Sequence, residues 1–353
     1  MNATTQLTTT TRAFGTNLDS MANATAAPKN NKKRTSSGKV KQRTAGGVTD
    51  KTSRRTTRSM SRSRARNSLD LGLESFCDGI VDIDKQSDGD PLACTPYCSS
   101  LFSSYRAKEA STSTRPSYLA KQPKINAAMR TILVDWLVNA HGAFKLIPPT
   151  LYLAVNLLDR YLNRVEVDRA SLQLVGISCL LIASKFEEVW CCAVADCVHV
   201  CDKTFTKEDV LEMEWNILTT LEFNITVPTS YSFLARFLKS ANADEKTARL
   251  ATFLLDGTLQ NYRLLQYLPS QLAAASVMIA RKTIVGSTGT GAIWTSTLQY
   301  YTGYSEQEVR AVARAVLRAW EKRQDNCRAV VKKHSQPKFG QIALVTLPSA
   351  GSV

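Results

Sequence analysis

The 353-residue chain carries a formal net charge of +15, and most of that charge lies near its N-terminus. Residues 1–70 hold 15 lysines and arginines against 3 aspartates and glutamates, with 22 serines and threonines and one aromatic residue, Phe14. A segment of this composition cannot bury enough apolar surface to fold, so we expect residues 1–85 to form a disordered basic tail. The rest of the chain is nearly neutral and has room for two domains.

Composition and motifs disfavour several classes of protein. No stretch resembles a signal peptide or a transmembrane helix, so we expect neither secretion nor membrane contact. The nine cysteines lack the spacing of a disulfide framework, which favours a reduced compartment, cytosol or nucleus. The three histidines are scattered, and no nucleophile, phosphate loop or metal constellation stands out. We therefore expect no catalytic residues, no cofactor and no metal.

The tail contains recurrent basic clusters at residues 32–34, 39–41 and 54–66. Such runs favour recognition by a nuclear import receptor, and the alternative is a merely solvated tail. We predict a nuclear protein, with shuttling to the cytoplasm left open. Direct nucleic-acid binding is disfavoured because no pattern of a folded nucleic-acid-binding domain accompanies the basic clusters.

Helical patterns follow the tail in two groups. A short helix over 95–110 precedes helices predicted at 124–141, 149–163, 169–185, 192–200 and 206–220, the last with Thr206 and Asp209 as an N-cap pair. The second group is predicted at 229–239, 243–262, 270–284, 293–301 and 305–320. No strand alternation of any length appears. The pattern predicts an all-α protein with two similar five-helix domains, over 86–227 and 228–345.

Two features support this architecture. Residues 181–185 match residues 278–282 at an offset of 97, which suggests a distant internal repeat. The segment 171–188 is apolar on all sides of a helix until it ends in Lys185, Phe186 and two glutamates. We expect a central buried helix whose C-terminal end reaches the surface.

Four charges occur inside apolar stripes: Lys185, Glu214, Arg130 and Asp159. A buried charge without a partner costs several kcal/mol. These four residues either form two structural ion pairs or bind polar groups of a partner protein. The sequence pattern alone does not distinguish these two interpretations. Helix 124–141 is apolar on two sides, and periodicity alone favours core packing for both.

Several of these runs resemble the cyclin box. They are residues 129–138 (MRTILVDWLV), 157–161 (LLDRY), 172–176 (LQLVG) and 183–188 (ASKFEE), with cyclin B-like runs at 268–271 and 294–301. The resemblance covers about residues 90–345 and is strongest to mitotic A- and B-type cyclins.

The resemblance implies a regulatory subunit that binds and activates a cyclin-dependent protein kinase in G2/M control and has no catalysis of its own. Lys185 and Glu214 match the pair that contacts the mobile kinase helix, with Phe186 and Leu218 beside them. Arg130 and Asp159 match the family's internal ion pair. A cyclin-fold transcription factor that uses the tail to hold DNA is the alternative.

The resemblance also implies a shallow patch that docks Arg-x-Leu motifs of substrates or inhibitors. Its members here are Met129, Ile132, Leu133, Trp136, Asn139, Arg169 and Gln173. Asn139 replaces the usual acidic residue, so attraction for a basic motif should be weaker. Cys191 and Cys192 replace two prolines that usually follow the ASKFEE run. We expect a less rigid loop there.

Two further motifs remain open. Arg66 and Leu69 fit the first half of a destruction motif read by a ubiquitin ligase, although Glu74 stands where its asparagine belongs. Four cysteines fall within residues 191–201, but their spacing fits no zinc site. Small buried thiols are the better interpretation.

Overall fold

The structure is a computed structural model that describes residues 79–87, 89–284, 292–322 and 328–352. The basic clusters and the Arg66–Leu69 motif lie outside the described residues. Within them the fold is all-α, as predicted, and no strand occurs. None of the described helices is both long and apolar enough to cross a membrane.

Twelve α-helices make up the described part of the chain. In order they are α1 Cys98–Thr112, α2 Ala127–Ala143, α3 Pro148–Arg164, α4 Leu172–Glu187, α5 Val194–Val200, α6 Lys207–Thr220, α7 Ser230–Ser240, α8 Glu245–Gln260, α9 Pro269–Ile284, α10 Ser296–Thr302, α11 Glu306–Glu321 and α12 Ala329–His334. Helices α2–α6 and α7–α11 form two consecutive sets of five, each with a central helix.

The two central helices reproduce the internal repeat. Helix α4 starts at 172 and α9 at 269, and they end at 187 and 284, so both boundaries differ by 97. Each is packed by neighbours of its own set: α4 by α2, α3, α5 and α6, and α9 by α7, α8 and α11. Residues 174–184 of α4 are all buried, which is why its sequence shows no polar face.

Close helix contact and local caps fix the first set. A Cβ atom at Gly176 would lie 2.9 Å from Leu133 Cδ1, so glycine lets α2 and α4 approach closely. Helix α6 begins with a complete capping box: Thr206 Oγ1 accepts from Asp209 N, and Asp209 Oδ2 accepts from Thr206 N. This box satisfies amides that the helix itself leaves unpaired.

The C-terminal helix is held by a buried carboxylate on α8. Asp256, 0% exposed, accepts hydrogen bonds from Tyr152 Oη at 2.5 Å and Lys333 Nζ at 2.8 Å, and His334 Nε2 lies 2.8 Å away. Burial alone would raise the pKa of Asp256, but the charge of Lys333 and the contact with His334 outweigh it and lower the pKa well below its usual range. Helices α3, α8 and α12 therefore meet at one charged centre.

Residues 79–87, which include the last seven residues of the predicted tail, pack on the second helical set. Val81 N donates to Thr297 Oγ1 at 3.1 Å, Ile83 is 7% exposed, and Asp84 forms an ion pair with Arg236. The Arg236 guanidinium also stacks over two aromatic rings, Phe102 and Tyr301. The average composition of the tail does not reveal the short apolar and acidic run at its end, so composition alone did not predict this packing.

We predict that Asp84→Asn lowers the free energy of unfolding by about 2 kcal/mol, because it removes the charged partner of a nearly buried guanidinium. The Arg236 hydrogen bond lowers the pKa of Asp84 below its usual value of 3.8. The stabilisation is therefore present above about pH 4 and is lost as the pH falls through the folded-state pKa.

Urea unfolding measures this loss, and Asp168→Asn is the matched control. Asp168 pairs with Lys124, but the two side chains are 57% and 65% exposed, so its removal should cost less than about 1 kcal/mol. Equal losses for the two variants would show that the Asp84 contact adds nothing beyond a surface ion pair.

Candidate functional site

The C-terminal end of α4 and the middle of α6 hold an ion pair. Lys185 Nζ lies 2.7 and 2.8 Å from the two carboxylate oxygens of Glu214. The Glu214 side chain is only 12% exposed, whereas Lys185 is 43% exposed. The pair is therefore formed within the chain, with the lysine facing outward and the glutamate set into the surface.

Large apolar side chains on α4, on α6 and on the segments that follow them are exposed. They are Phe186, Val189, Trp190, Leu211, Trp215 and Phe223. Together with Lys185, Glu214 and the partly buried Leu218 we call them the α4–α6 face. Val189 and Trp190 are 91% and 88% exposed, and the Trp215 and Phe223 rings pack edge to face at 6.0 Å. Exposed apolar residues gathered on neighbouring elements are typical of a protein interface.

Sequence reasoning named Lys185, Phe186, Glu214 and Leu218 but missed the other five members. A signal for two of them was present, since Leu211 and Trp215 share one side of α6 with Leu218 at helical spacing. Val189 and Trp190 lie in a turn, where helical periodicity gives no information about exposure.

Glu188 fixes the turn that follows α4. Its Oε1 accepts from Ile147 N at 2.7 Å and from Thr150 Oγ1 at 2.6 Å, both at the start of α3. The two glutamates at the end of the ASKFEE run are therefore not equivalent. Glu188 anchors the backbone from which the exposed Val189 and Trp190 project.

A second ion pair, Arg130 with Asp159, is buried between the two helical sets. Arg130 Nε and Nη2 donate to the two Asp159 oxygens at 2.6 and 2.7 Å, with the side chains 1% and 4% exposed. Tyr118 Oη donates to Asp159 Oδ1 at 2.7 Å, and Arg130 Nη1 donates to Leu259 O at 3.0 Å. The pair thus joins α2 and α3 to the end of α8.

The seven residues assigned to a docking patch do not form one open surface. Ile132, Leu133 and Trp136 are 9%, 1% and 2% exposed, so little of their own surface is open to a partner. Helix α2 is central: it contacts α4 on one side and α8 and α12 on others, and Asp135 accepts from the amide of Ala329. Only Met129, Asn139, Arg169 and Gln173 are partly exposed.

The cysteines near α5 are free thiols. Cys192, Cys197 and Cys201 are buried and Cys191 is exposed. No group of three or more potential ligands among the described residues is arranged to hold a metal ion.

Comparison with known protein families shows to which family the chain belongs. Residues 100–226 match the cyclin N-terminal domain family, and residues 228–348 match the cyclin C-terminal domain family. The chain belongs to the cyclin family. Members of this family are regulatory subunits and not enzymes.

Similar proteins include several named mitotic cyclins. Cyclin-B2-1 of Arabidopsis thaliana is 43% identical over 265 residues, which cover 75% of this chain and 61% of that protein. G2/mitotic-specific cyclin-1 of Medicago sativa subsp. varia is 45% identical over 228 residues, covering 65% and 52%. The chain thus matches little more than half the length of these curated relatives.

Among solved structures, a viral cyclin from herpesvirus saimiri has the same fold. It superposes with a TM-score of 0.52 at 21% identity and covers 58% of this chain and 90% of that one. The boundary between the two family matches, at residues 226–228, falls directly before α7.

The different burial of the two ion pairs gives a stability prediction. We expect Arg130→Ala to lower the free energy of unfolding by about 3–5 kcal/mol, because it leaves the Asp159 carboxylate buried without its charge partner. Lys185→Ala should cost about 1 kcal/mol or less, since Lys185 is partly solvated. Thermal and urea unfolding of both variants measure this, and a loss at Lys185 as large as that at Arg130 would contradict the assignment.

Proposed function

We propose that this cyclin binds and activates a cyclin-dependent protein kinase and acts in G2/M control. The observation that carries the proposal is the α4–α6 face, where a preformed ion pair lies among exposed apolar side chains. The names of the B-type and G2/mitotic relatives support the phase of the cycle. The face offers a polar centre for orientation and an apolar surround for affinity.

The Lys185–Glu214 pair suits recognition of a helix. A lysine ammonium has three donors, and a carboxylate accepts several hydrogen bonds, so each member can bind a partner while keeping the other. Lys185 would donate to carbonyls and Glu214 would accept from amides of the partner backbone. Because both side chains already hold each other in place, little conformational freedom is lost on binding.

Activation follows from preferential binding to one kinase state. In protein kinases a glutamate on a mobile helix must pair with the catalytic lysine. A cyclin whose α4–α6 face binds that helix better in its inward position shifts the kinase population towards the active state. The cyclin then needs no catalytic residue of its own.

We predict that Lys185→Ala and Glu214→Ala each weaken kinase binding by about 2–5 kcal/mol, at least about 30-fold in Kd, because the remaining charge is buried unpaired in the complex. Titration calorimetry with the kinase identified by pull-down from dividing cells measures this. Glu212→Ala, an exposed glutamate on the same helix, is the matched control and should bind normally. Wild-type affinity in both variants would make the pair purely structural.

We also propose that substrates or inhibitors with Arg-x-Leu motifs dock on the exposed part of α2 and its surroundings, formed by Met129, Asn139, Arg169 and Gln173. Because Asn139 is uncharged, the site lacks one attraction for the arginine of the motif. Trp136, which the resemblance also assigns to the patch, is only 2% exposed.

For docking we predict that Asn139→Glu strengthens binding of an Arg-x-Leu peptide about two- to fivefold, the effect of one added exposed charge pair. Fluorescence polarisation measures the change, and salt should reduce it. Trp136→Ala should instead lower the free energy of unfolding by about 3–5 kcal/mol, as for a core aromatic. Unchanged peptide affinity on Asn139→Glu counts against docking at this surface.

The tail is proposed to control location and lifetime. Its basic clusters would bind a nuclear import receptor, and Arg66 with Leu69 would be recognised by a ubiquitin ligase. Both assignments rest on sequence patterns. The expected location is the nucleus.

Deleting residues 1–70 should leave kinase activation intact, spread the protein through the cytoplasm and slow its turnover. Microscopy and a turnover chase measure the two effects, and Arg66→Ala with Leu69→Ala separates them because it should slow turnover alone. Nuclear enrichment that survives the deletion would refute the import role.

A further inference from the structure

Two cysteine sulfurs meet beside the end of α4. Cys192 lies in the turn between α4 and α5, and its Sγ is 3.8 Å from the Sγ of Cys197 in α5. A disulfide requires about 2.05 Å, so the sulfurs must approach by less than 2 Å. Both thiols are free. We propose that Cys192 and Cys197 are an oxidation site that a peroxide converts into a disulfide bond.

The surroundings give the two thiols different roles. The hydrogen bond from Cys197, helped by Ser184, lowers the pKa of Cys192 to about 7 in spite of its burial. The same contact and burial raise the pKa of Cys197. Ser184 Oγ lies 3.1 Å from the Cys192 sulfur and is itself fully buried. Cys192 is therefore the sulfur that is deprotonated first and attacks an oxidant.

The oxidation balances with a peroxide as the only co-reactant. The Cys192 thiolate attacks hydrogen peroxide, the O–O bond breaks, and Cys192 sulfenic acid forms with release of water after proton transfer. The Cys197 thiol then attacks the sulfenic sulfur, which forms the S–S bond and releases a second water. Two thiols lose two electrons, and one peroxide becomes two waters. A dithiol reductant reverses the reaction by exchange.

Access also favours this pair. Cys192 is 8% exposed and follows the exposed Cys191, so a small movement of the turn admits a peroxide. Cys197 is 0% exposed, and its sulfur contacts that of Cys192. Burial raises the pKa of Cys201 to about 12, which leaves it a poor nucleophile. In reduced compartments a disulfide is typically transient and redox-sensing.

The test uses the full-length chain without a kinase, so its outcome is independent of the proposed function. The reduced protein is treated with hydrogen peroxide, its remaining thiols are alkylated, and it is cleaved after lysine and arginine and before aspartate. These cuts give peptides 186–195 and 196–201, which contain Cys191–Cys192 and Cys197–Cys201 respectively. We expect the two peptides to be joined after oxidation and separate after reduction.

Single substitutions identify the sulfurs. The link should be lost in Cys192→Ser and Cys197→Ser and should persist in the control variants Cys191→Ser and Cys201→Ala. Fragmentation of the linked peptide from the unsubstituted chain locates the bond even where a variant folds poorly. The rate of linking should rise about tenfold from pH 6 to pH 8, as expected when a thiolate with a pKa near 7 reacts.

Three results would overturn the proposal. The peptides could stay separate while Cys191 alone is oxidised, which would make the exposed thiol the only reactive one. The link could survive Cys192→Ser, or fragmentation could place it on Cys191 or Cys201.

Discussion

The Arg130–Asp159 ion pair is the interaction on which the described structure depends most. It is the point where α2 and α3 meet the end of α8. Removing two charges from water is expensive, and the bidentate contact, the Tyr118 hydroxyl and the Leu259 carbonyl together offset that cost. An apolar pair could hold two helices together, but it would not fix their register in the same way. The contact to Leu259 ties the first helical set to the second.

The contrast with Lys185 and Glu214 shows how burial separates structure from recognition. Both pairs have short contacts and bridge two helices. The Arg130–Asp159 pair is enclosed by the protein, so its hydrogen-bonding groups are used within the chain. In the Lys185–Glu214 pair the lysine is 43% exposed, and both side chains can form further hydrogen bonds. A partner that arrives at this pair meets charges already oriented by the fold.

The sequence predicted much of this architecture because helical periodicity reports burial directly. The uniformly apolar run of α4 indicated a central helix, and the matching run 97 residues later indicated α9. Periodicity could not predict what covers a helix with two apolar sides. Leu133 and Trp136 were assigned to a patch by resemblance, and both side chains are almost fully buried, Leu133 at the close approach to Gly176 of α4. The packing of residues 79–85 depends on Arg236, more than 150 residues away in sequence, which no local pattern reveals.

The turn after α4 joins these considerations. Glu188 anchors its start on α3, and Ser184 contacts Cys192 near its end. Between these anchors, Val189 and Trp190 project into solvent. The resemblance to the cyclin box implies two prolines at the positions that Cys191 and Cys192 occupy here. A backbone without those prolines can bring one sulfur onto another, because the residues are not locked at a fixed φ. The proposed Cys192–Cys197 bond would give this turn a covalent constraint in place of two prolines.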